Sequence, residues 1–383
     1  MPFGYLASAV ILGLCVLAAL RPWPGHSLFG TVVYVVGMTF NELPVVALVL
    51  ALAPTVLALA QGDLSSPGGL AAAVVMLVVV IGIVLVAWRA VRARHEPEHA
   101  LEEALERGWR DRIAPEHAAH LRVAPDTWRG LLLPLLRRHR GVRHLRGLSY
   151  GEHGRRNTLD VYVPRGTAPS GPVFVHFHGG HFVSGAKDRE SLHLLYQLAA
   201  HGWTCVSANY RLAPRAAFPD HVVDAKRVLH WVRTQGPERG LGAGPVFVGG
   251  SSAGAHIATC TALTAGDPAL QPGFEDADTS VAGVVGMYGY YGPVTEDPGS
   301  SPAASVHAGA PPAYLTHGTR DTVAPIEWAR EFKDRLAAVS DQPVVWSEIA
   351  DGQHTFDYFA SVRARVVADR IEGFAAWVLS RTP

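Results

Sequence analysis

The 383-residue chain is short of charged residues, and lysine is almost absent from it. Asp, Glu, Lys and Arg make up 17% of the sequence, the 33 acidic and 33 basic side chains cancel, and the only lysines are at positions 187, 226 and 333. A chain without net positive charge lacks the surface of a general nucleic-acid-binding protein, which argues against that class. The three cysteines form no Cys-x-x-Cys pair, so the sequence indicates no metal or redox site, and no cofactor is predicted.

Apolar residues, by contrast, make up 49% of the chain, which indicates that part of it lies in lipid. A helix needs about 20 apolar residues to cross the hydrocarbon core of a bilayer. The apolar stretches therefore predict transmembrane helices over residues 3–20, 41–60 and 70–88, with residues 28–40 as an interfacial or half-inserted segment before the second. Residues 1–94 form the predicted transmembrane region.

Arginines near these stretches predict the orientation. Arg21 follows the first predicted span, and Arg89, Arg92 and Arg94 follow the third. Because loops rich in Lys and Arg stay on the cytoplasmic side, the chain is predicted to be a multi-pass protein of the cell membrane with a cytoplasmic C-terminal part.

Residues 95–148 are polar and helical in character, with a leucine-rich run at 131–136 and arginines and histidines at 137–146. One interpretation is an amphipathic segment that lies on anionic lipid headgroups. The other is a helical linker or cap with a solvated basic face. The sequence leaves both open.

From residue 149 onward, short β-branched or aromatic runs alternate with helical stretches. The predicted strands cover residues 159–163, 173–178, 204–210, 246–249, 281–288, 313–316 and 344–349. This alternation predicts an α/β catalytic domain over residues 149–383, with a mostly parallel sheet flanked by helices. In such sheets the functional side chains gather at the carboxyl ends of the strands.

The sequence Gly-Ser-Ser-Ala-Gly at residues 250–254 follows a predicted strand and begins a helix of small residues. A sharp turn between strand and helix exposes the central serine, and the glycines on either side allow the backbones to approach. The motif therefore predicts Ser252 as a nucleophile. It also places the N–H of Ala253 near a helix N-terminus, where negative charge is favoured.

The sequence His-Gly-Gly-His-Phe at residues 178–182 lies at the end of another predicted strand. Glycines at such a strand end allow backbone N–H groups to face an oxyanion. The motif therefore predicts an oxyanion hole.

A serine nucleophile needs a base, and the base needs a carboxylate that orients it. In folds that present the serine on such a strand-to-helix turn, the carboxylate follows the serine along the chain and the histidine comes last. Asp321 and His354 fit this order. Asp351 and Asp357 are weaker candidates for the carboxylate, and His317 is interpreted as structural.

On these motifs, residues from about Ser149 to the C-terminus resemble the α/β-hydrolase superfamily, and within it the carboxylesterases of the hormone-sensitive-lipase-like and acetyl-esterase group. The stretches 178–182, 209–214, 250–254 and 271–279 look like those of membrane-linked actinobacterial esterases. The resemblance implies a catalytic triad of Ser252, Asp321 and His354. It also implies an oxyanion hole formed by the N–H groups of Gly180, His181 and Ala253, with Gly179 shaping the turn.

Two residues depart from the pattern of that group. His181 replaces the usual third glycine of the His-Gly-Gly-Gly motif, and Ser251 stands where many lipase-like relatives carry aspartate. The acid motif at residues 317–325 resembles the acetyl-esterase and peptidase-like branches instead.

The sequence therefore predicts a membrane-anchored serine carboxylester hydrolase that acts on a small-molecule or lipid ester through an acyl-enzyme intermediate. The alternatives are an amidase or formamidase of the same fold and a non-catalytic membrane sensor or scaffold. Tyr288, Tyr290 and Tyr291 are candidates either for an acyl pocket or for the core. The oligomeric state stays open.

Overall fold

The computed structural model describes residues 3–23, 27–166 and 171–381. Residues 1–2 and 24–26 of the predicted transmembrane region, and residues 167–170 and 382–383 of the predicted catalytic domain, therefore lie outside the described residues. Its N-terminal part is helical and its C-terminal part combines a sheet with helices. The four N-terminal helices are α1 (Phe3–Leu20), α2 (Leu28–Glu42), α3 (Pro44–Ala60) and α4 (Pro67–Arg92).

Small side chains are buried where α1, α3 and α4 meet. Ala9, Ala51 and Ala72 are buried between them, and small residues allow helices to approach closely where no water is present to drive association. Large apolar side chains such as Ile11, Val56 and Val78 point outward and are exposed. By length and composition, α1 and the helix that begins at Pro67 could each cross a membrane, and the bent pair of α2 and α3 could form a third crossing.

The helix boundaries differ from the prediction at the second apolar stretch. The predicted span over residues 41–60 is divided, because α2 ends at Glu42 and α3 begins at Pro44, and the two helices meet at 95°. The ring of Pro44 lacks an N–H and starts α3 at its first position, which ends the preceding helix. The predicted spans 3–20 and 70–88 lie within α1 and α4. Three membrane crossings remain a prediction.

Residues 95–148 contain three short α-helices, α5 (Glu96–Leu105), α6 (Pro115–Ala118) and α7 (Thr127–Leu132), and lead into a strand, β1 (Val142–Ser149). The prediction of a helical linker missed this strand. In β1, exposed or half-buried polar residues such as Arg143 and His144 follow the buried Val142. A polar edge strand lacks the apolar run that marks a buried strand, and charged edges also prevent pairing with other chains.

The sheet has eight strands in the order β1-β2-β4-β3-β5-β6-β7-β8, and it is parallel from β4 onward. This confirms the predicted mostly parallel sheet. The remaining strands are β2 (Thr158–Pro164), β3 (Val173–Phe177), β4 (Thr204–Ala208), β5 (Val246–Ser251), β6 (Gly283–Met287), β7 (Ala313–Gly318) and β8 (Val344–Ile349). The helices around it are α8 (Leu192–Ala200), α9 (Asp220–Glu238), α10 (Ala253–Leu263), α11 (Ile326–Val339) and α12 (Val362–Leu379).

Helices cover both faces of the sheet, as predicted. Successive strand residues point to opposite faces, so Phe174 of β3 belongs to one core with α8 and α12, while its neighbour Val175 belongs to another with α9, α10 and α11. Both faces of the central strands are therefore apolar. The carboxyl ends of β3, β5, β7 and β8 lie at one edge of the sheet, where the predicted site residues follow them.

Candidate active site

Ser252 lies in a strained turn between β5 and α10. Its backbone has φ 55° and ψ −119°, a conformation that non-glycine residues adopt only when their surroundings enforce it. The neighbouring glycines are required for space, because a Cβ atom on Gly250 would overlap the Gly254 carbonyl and one on Gly254 would overlap the Phe177 carbonyl. The turn therefore presents the Ser252 side chain at the end of β5.

The structure brings Ser252, His354 and Asp321 into one hydrogen-bonded chain. The Oγ of Ser252 lies 2.9 Å from Nε2 of His354, and Nδ1 of His354 lies 2.6 Å from Oδ2 of Asp321. The Asp321 carboxylate fixes a proton on Nδ1, so Nε2 is left to accept from the serine hydroxyl. Serine, histidine and carboxylate thus have the arrangement of an activated nucleophile.

The Asp321 carboxylate is held ionised by its neighbours. Burial acts to raise the pKa of Asp321, but the His354 imidazole and hydrogen bonds from His317 and His354 outweigh burial and hold it below its usual value. The other carboxylate oxygen, Oδ1, accepts the backbone N–H groups of Val323 and Ala324, each at 2.8 Å. An ionised Asp321 is the form that stabilises a protonated His354.

The Gln353 side chain joins the loop that carries Asp321 to the loop that carries His354. Its Oε1 accepts the backbone N–H groups of Thr322 and His354 at 2.8 Å each, and its Nε2 donates to the hydroxyl of Thr322 at 3.0 Å. These bonds set the distance between the loops that follow β7 and β8. Sequence reasoning missed Gln353, and its position beside His354 was the only signal for it.

The weaker carboxylate candidates have other partners. Asp351 forms an ion pair with Arg320 at 2.6 Å, and Asp357 accepts hydrogen bonds from Ser191 and Tyr288. His317, which was interpreted as structural, has its Nε2 2.9 Å from the carbonyl of Ala324 and 3.1 Å from Oδ2 of Asp321.

The turn after β3 lies directly against the serine. A Cβ atom on Gly179 would stand 3.0 Å from the Cβ of Ser252, and Gly180 has φ 119°, a value suited to glycine. The N–H of Gly179 donates to Oε2 of Glu190 at 2.6 Å, so this glycine shapes the turn. Gly180 and His181 line the same cavity as Ser252 and His354.

Glu190 is a second residue that sequence reasoning missed. Burial raises its pKa to about 7, against the effect of the Gly179 N–H, which lowers it. No motif marks this glutamate, because its role depends on the loop that returns it to the turn after β3. Ser251, which replaces the aspartate of many relatives, points instead into a buried polar cluster, 3.1 Å from Nε2 of His176 and 3.2 Å from Oγ of Ser191.

A cavity of about 640 Å³ opens over Ser252 and His354. One of its walls belongs to α2, and the residues of this wall are Thr31, Tyr34, Val35, Met38 and Thr39. Among the residues that the structure describes, Tyr288, Tyr290 and Tyr291 do not line this cavity. Tyr288 packs edge-on to His354 at 4.7 Å, Tyr290 stacks on His256 and Tyr291 stacks on Phe332.

Within residues 3–23, 27–166 and 171–381, no three His, Cys, Asp or Glu side chains are grouped as a metal site requires.

Comparison with known proteins agrees with the fold. The family profile BD-FAE matches residues 159–296. The chain is similar to a probable carboxylic ester hydrolase, LipM, of Mycobacterium tuberculosis, with 38% identity over 278 residues, which is 64% of each chain. It is also similar to the esterase LipQ of the same organism, with 34% identity over 61% of this chain and 62% of LipQ. The match thus spans slightly less than two thirds of either relative.

A solved structure, esterase B from Lactobacillus rhamnosis, covers 63% of this chain and 87% of its own, with a TM-score of 0.52 and 19% identity. At that identity the similarity concerns the fold. Together with the sheet order and the turn at Ser252, these matches show that the chain has the α/β-hydrolase fold and is similar to carboxylic ester hydrolases.

Proposed function

We propose that the protein is a serine hydrolase that cleaves carboxylic ester bonds. The observation that carries this proposal is the hydrogen-bonded chain from Ser252 through His354 to the ionised Asp321. The esterase names of the relatives support an ester as the substrate.

In the proposed mechanism, Oγ of Ser252 attacks the ester carbonyl while Nε2 of His354 takes the hydroxyl proton. Asp321 stabilises the imidazolium that forms. His354 then returns the proton to the departing alcohol, which leaves an acyl group on Ser252. Water, deprotonated by the same imidazole, attacks this acyl-enzyme, and the carboxylic acid leaves as His354 returns that proton to Oγ of Ser252.

The negative oxygen of each tetrahedral intermediate is proposed to rest on the backbone amides of Gly180, His181 and Ala253. The proposal is supported by the position of Gly180 and His181 on the cavity that contains Ser252, and by Ala253 at the first position of α10. A lost donor of this kind lowers kcat by roughly 10²–10³.

The N-terminal helices are proposed to anchor the enzyme in the cell membrane, with the α/β part in the cytoplasm. Their exposed apolar side chains and their length support the anchor. Arg89, Arg92 and Arg94, which follow the apolar core of the helix that begins at Pro67, support the orientation.

The test is hydrolysis of p-nitrophenyl butyrate by the full chain in detergent, with wild type beside Ser252→Ala. The substitution is expected to lower kcat by roughly 10⁴–10⁶. The matched control is Ser340→Ala, because Ser340 follows the C-terminus of α11 and is expected to leave the rate unchanged. Near-normal turnover by folded Ser252→Ala protein would disprove the proposed nucleophile.

A further inference from the structure

The helix α2 contributes a wall of the cavity and also touches the loop of the proposed base. The hydroxyl of Tyr34 lies 2.6 Å from Oγ1 of Thr355 and donates to the carbonyl of His354 at 3.3 Å. Its ring stands edge-on to the His354 imidazole, with 6.4 Å between the ring centres. A segment more than 300 residues away in sequence therefore lies against His354.

Buried polar contacts hold α2 in this position. Oε1 of Glu42, at the end of the helix, pairs with Arg363 at 3.0 Å, and both side chains are inaccessible to solvent. Oε2 of Glu42 accepts from Ser361 at 2.6 Å, and the amide of Asn41 donates to the carbonyl of Asp351 at 3.0 Å. An ion pair withdrawn from water requires accurate geometry, so the placement of α2 over the cavity is a built feature of the fold.

The outer face of the same helix is apolar and exposed. Leu28 is 83% exposed, Phe29 69% and Val32 53%. Val35 belongs to both environments, because it lines the cavity and is 47% exposed. The wall of the cavity is thus continuous with a surface that water solvates poorly.

A second exposed apolar segment lies beside the cavity. Leu132, Leu133, Leu135 and Leu136 are all exposed. Arg137, which follows them, donates to the carbonyls of Tyr358 and Arg189 at 3.1 and 3.4 Å, and these two residues line the cavity. A second exposed apolar surface is therefore connected to the lining of the cavity through Arg137.

We propose that α2 forms one side of an acyl-binding groove and that the substrate is an amphiphilic ester with a long acyl chain, taken directly from the bilayer. This inference rests on the proposed ester hydrolysis and names its substrate class. If α3 crosses the bilayer along its normal, the 95° bend lays α2 along the membrane surface. The acyl chain then passes between Val35 and Met38 on one side and the turn after β3 on the other.

The test compares kcat/KM for p-nitrophenyl dodecanoate and p-nitrophenyl acetate, using the full chain in detergent. Val35→Trp fills the groove and is expected to lower the dodecanoate-to-acetate ratio at least tenfold, since the burial of each methylene group of the acyl chain changes kcat/KM by roughly fourfold. The matched control is Val32→Trp, which places the same side chain on the exposed face of the same helix and is expected to keep the wild-type ratio. If Val35→Trp does not fold, Val35→Ala replaces it in the test. This milder truncation is expected to lower the dodecanoate-to-acetate ratio about threefold.

The source of the substrate is tested with phosphatidylcholine vesicles. Dodecanoate ester in the same vesicles as the reconstituted enzyme is expected to react at least tenfold faster than ester supplied in separate vesicles. Equal rates would show delivery through water and would overturn uptake from the bilayer. An unchanged ratio in Val35→Trp and Val35→Ala, or an equal fall in Val32→Trp, would overturn the groove. Wild-type protein that hydrolyses neither ester would instead refute the proposed function, and this inference with it.

Discussion

The substitution Asp321→Asn tests the proposed base because the structure determines how the new amide would be oriented. Oδ1 of Asp321 accepts two backbone N–H groups, from Val323 and Ala324, at 2.8 Å each. The carbonyl oxygen of an asparagine has to stay at that position, since an NH₂ group there would face two donors. The NH₂ group then takes the place of Oδ2, which lies 2.6 Å from Nδ1 of His354.

A donor at that position changes the imidazole. Nδ1 must accept from the amide, so the ring proton moves to Nε2, which can no longer take the proton of Ser252. We expect kcat for p-nitrophenyl butyrate to fall about 10⁴-fold at neutral pH, the loss typical of a triad with the wrong tautomer. Because the two N–H groups remain bonded, Asp321→Asn is expected to unfold closer to wild type than Asp321→Ala does, although the amide loses the hydrogen bond that Oδ2 of Asp321 accepts from His317.

The matched control is Asp321→Ala, which loses the same base and also leaves two buried N–H groups without an acceptor. At about 1–3 kcal/mol for each unsatisfied group, this variant is expected to be less stable than Asp321→Asn by about 2–6 kcal/mol in chemical denaturation, with equally low activity. Turnover of Asp321→Asn within tenfold of wild type would refute the reasoning, as would full activity in Asp321→Ala.

Two further predictions concern stability. Burial raises the pKa of Glu190 from its ordinary 4.5 to about 7, so the favourable contribution of this carboxyl group is present below pH 4.5 and is lost as the pH rises through 7. Glu190→Gln is therefore expected to raise the free energy of unfolding at pH 8 by at most about 3 kcal/mol, seen as a higher thermal midpoint. At pH 4.5 the midpoint is expected to stay unchanged, and an equal shift at the two pH values would contradict this prediction. Arg363→Ala leaves Glu42 buried without its cation and is expected to destabilise the protein by about 3–5 kcal/mol, measured by thermal unfolding in detergent. The double variant with Glu42→Gln is expected to recover part of this loss, and additive losses would contradict a coupled pair.

Local motifs allowed the sheet and the turn at Ser252 to be predicted from the sequence. Polar and apolar residues do not alternate in the run before residue 250, because β5 is buried on both faces. This is typical of a central parallel strand. The turn was predicted to need residues without a Cβ atom at positions 250 and 254. The carbonyls of Gly254 and Phe177 occupy the space that these Cβ atoms would need. Short-range sterics of this kind are written in consecutive residues.

Contacts between distant segments were not predictable in the same way. Glu190 and Gln353 take their roles from loops that the fold returns to the turn after β3 and to the loop after β7. The wall made by α2 depends on the 95° bend at Pro44 and on the buried pair between Glu42 and Arg363. In the sequence, α2 is only an apolar stretch, and no residue in it predicts that this helix lines the cavity.

The central claim, that Ser252 is activated by His354, is tested most directly by covalent labelling with a fluorophosphonate probe, which needs no knowledge of the substrate. We expect one adduct per chain, found by mass spectrometry on the peptide that contains Ser252, absent in Ser252→Ala and formed at least 10³-fold more slowly in His354→Ala. Wild-type labelling at another serine, or labelling of Ser252 at the same rate in His354→Ala, would show that His354 does not activate Ser252.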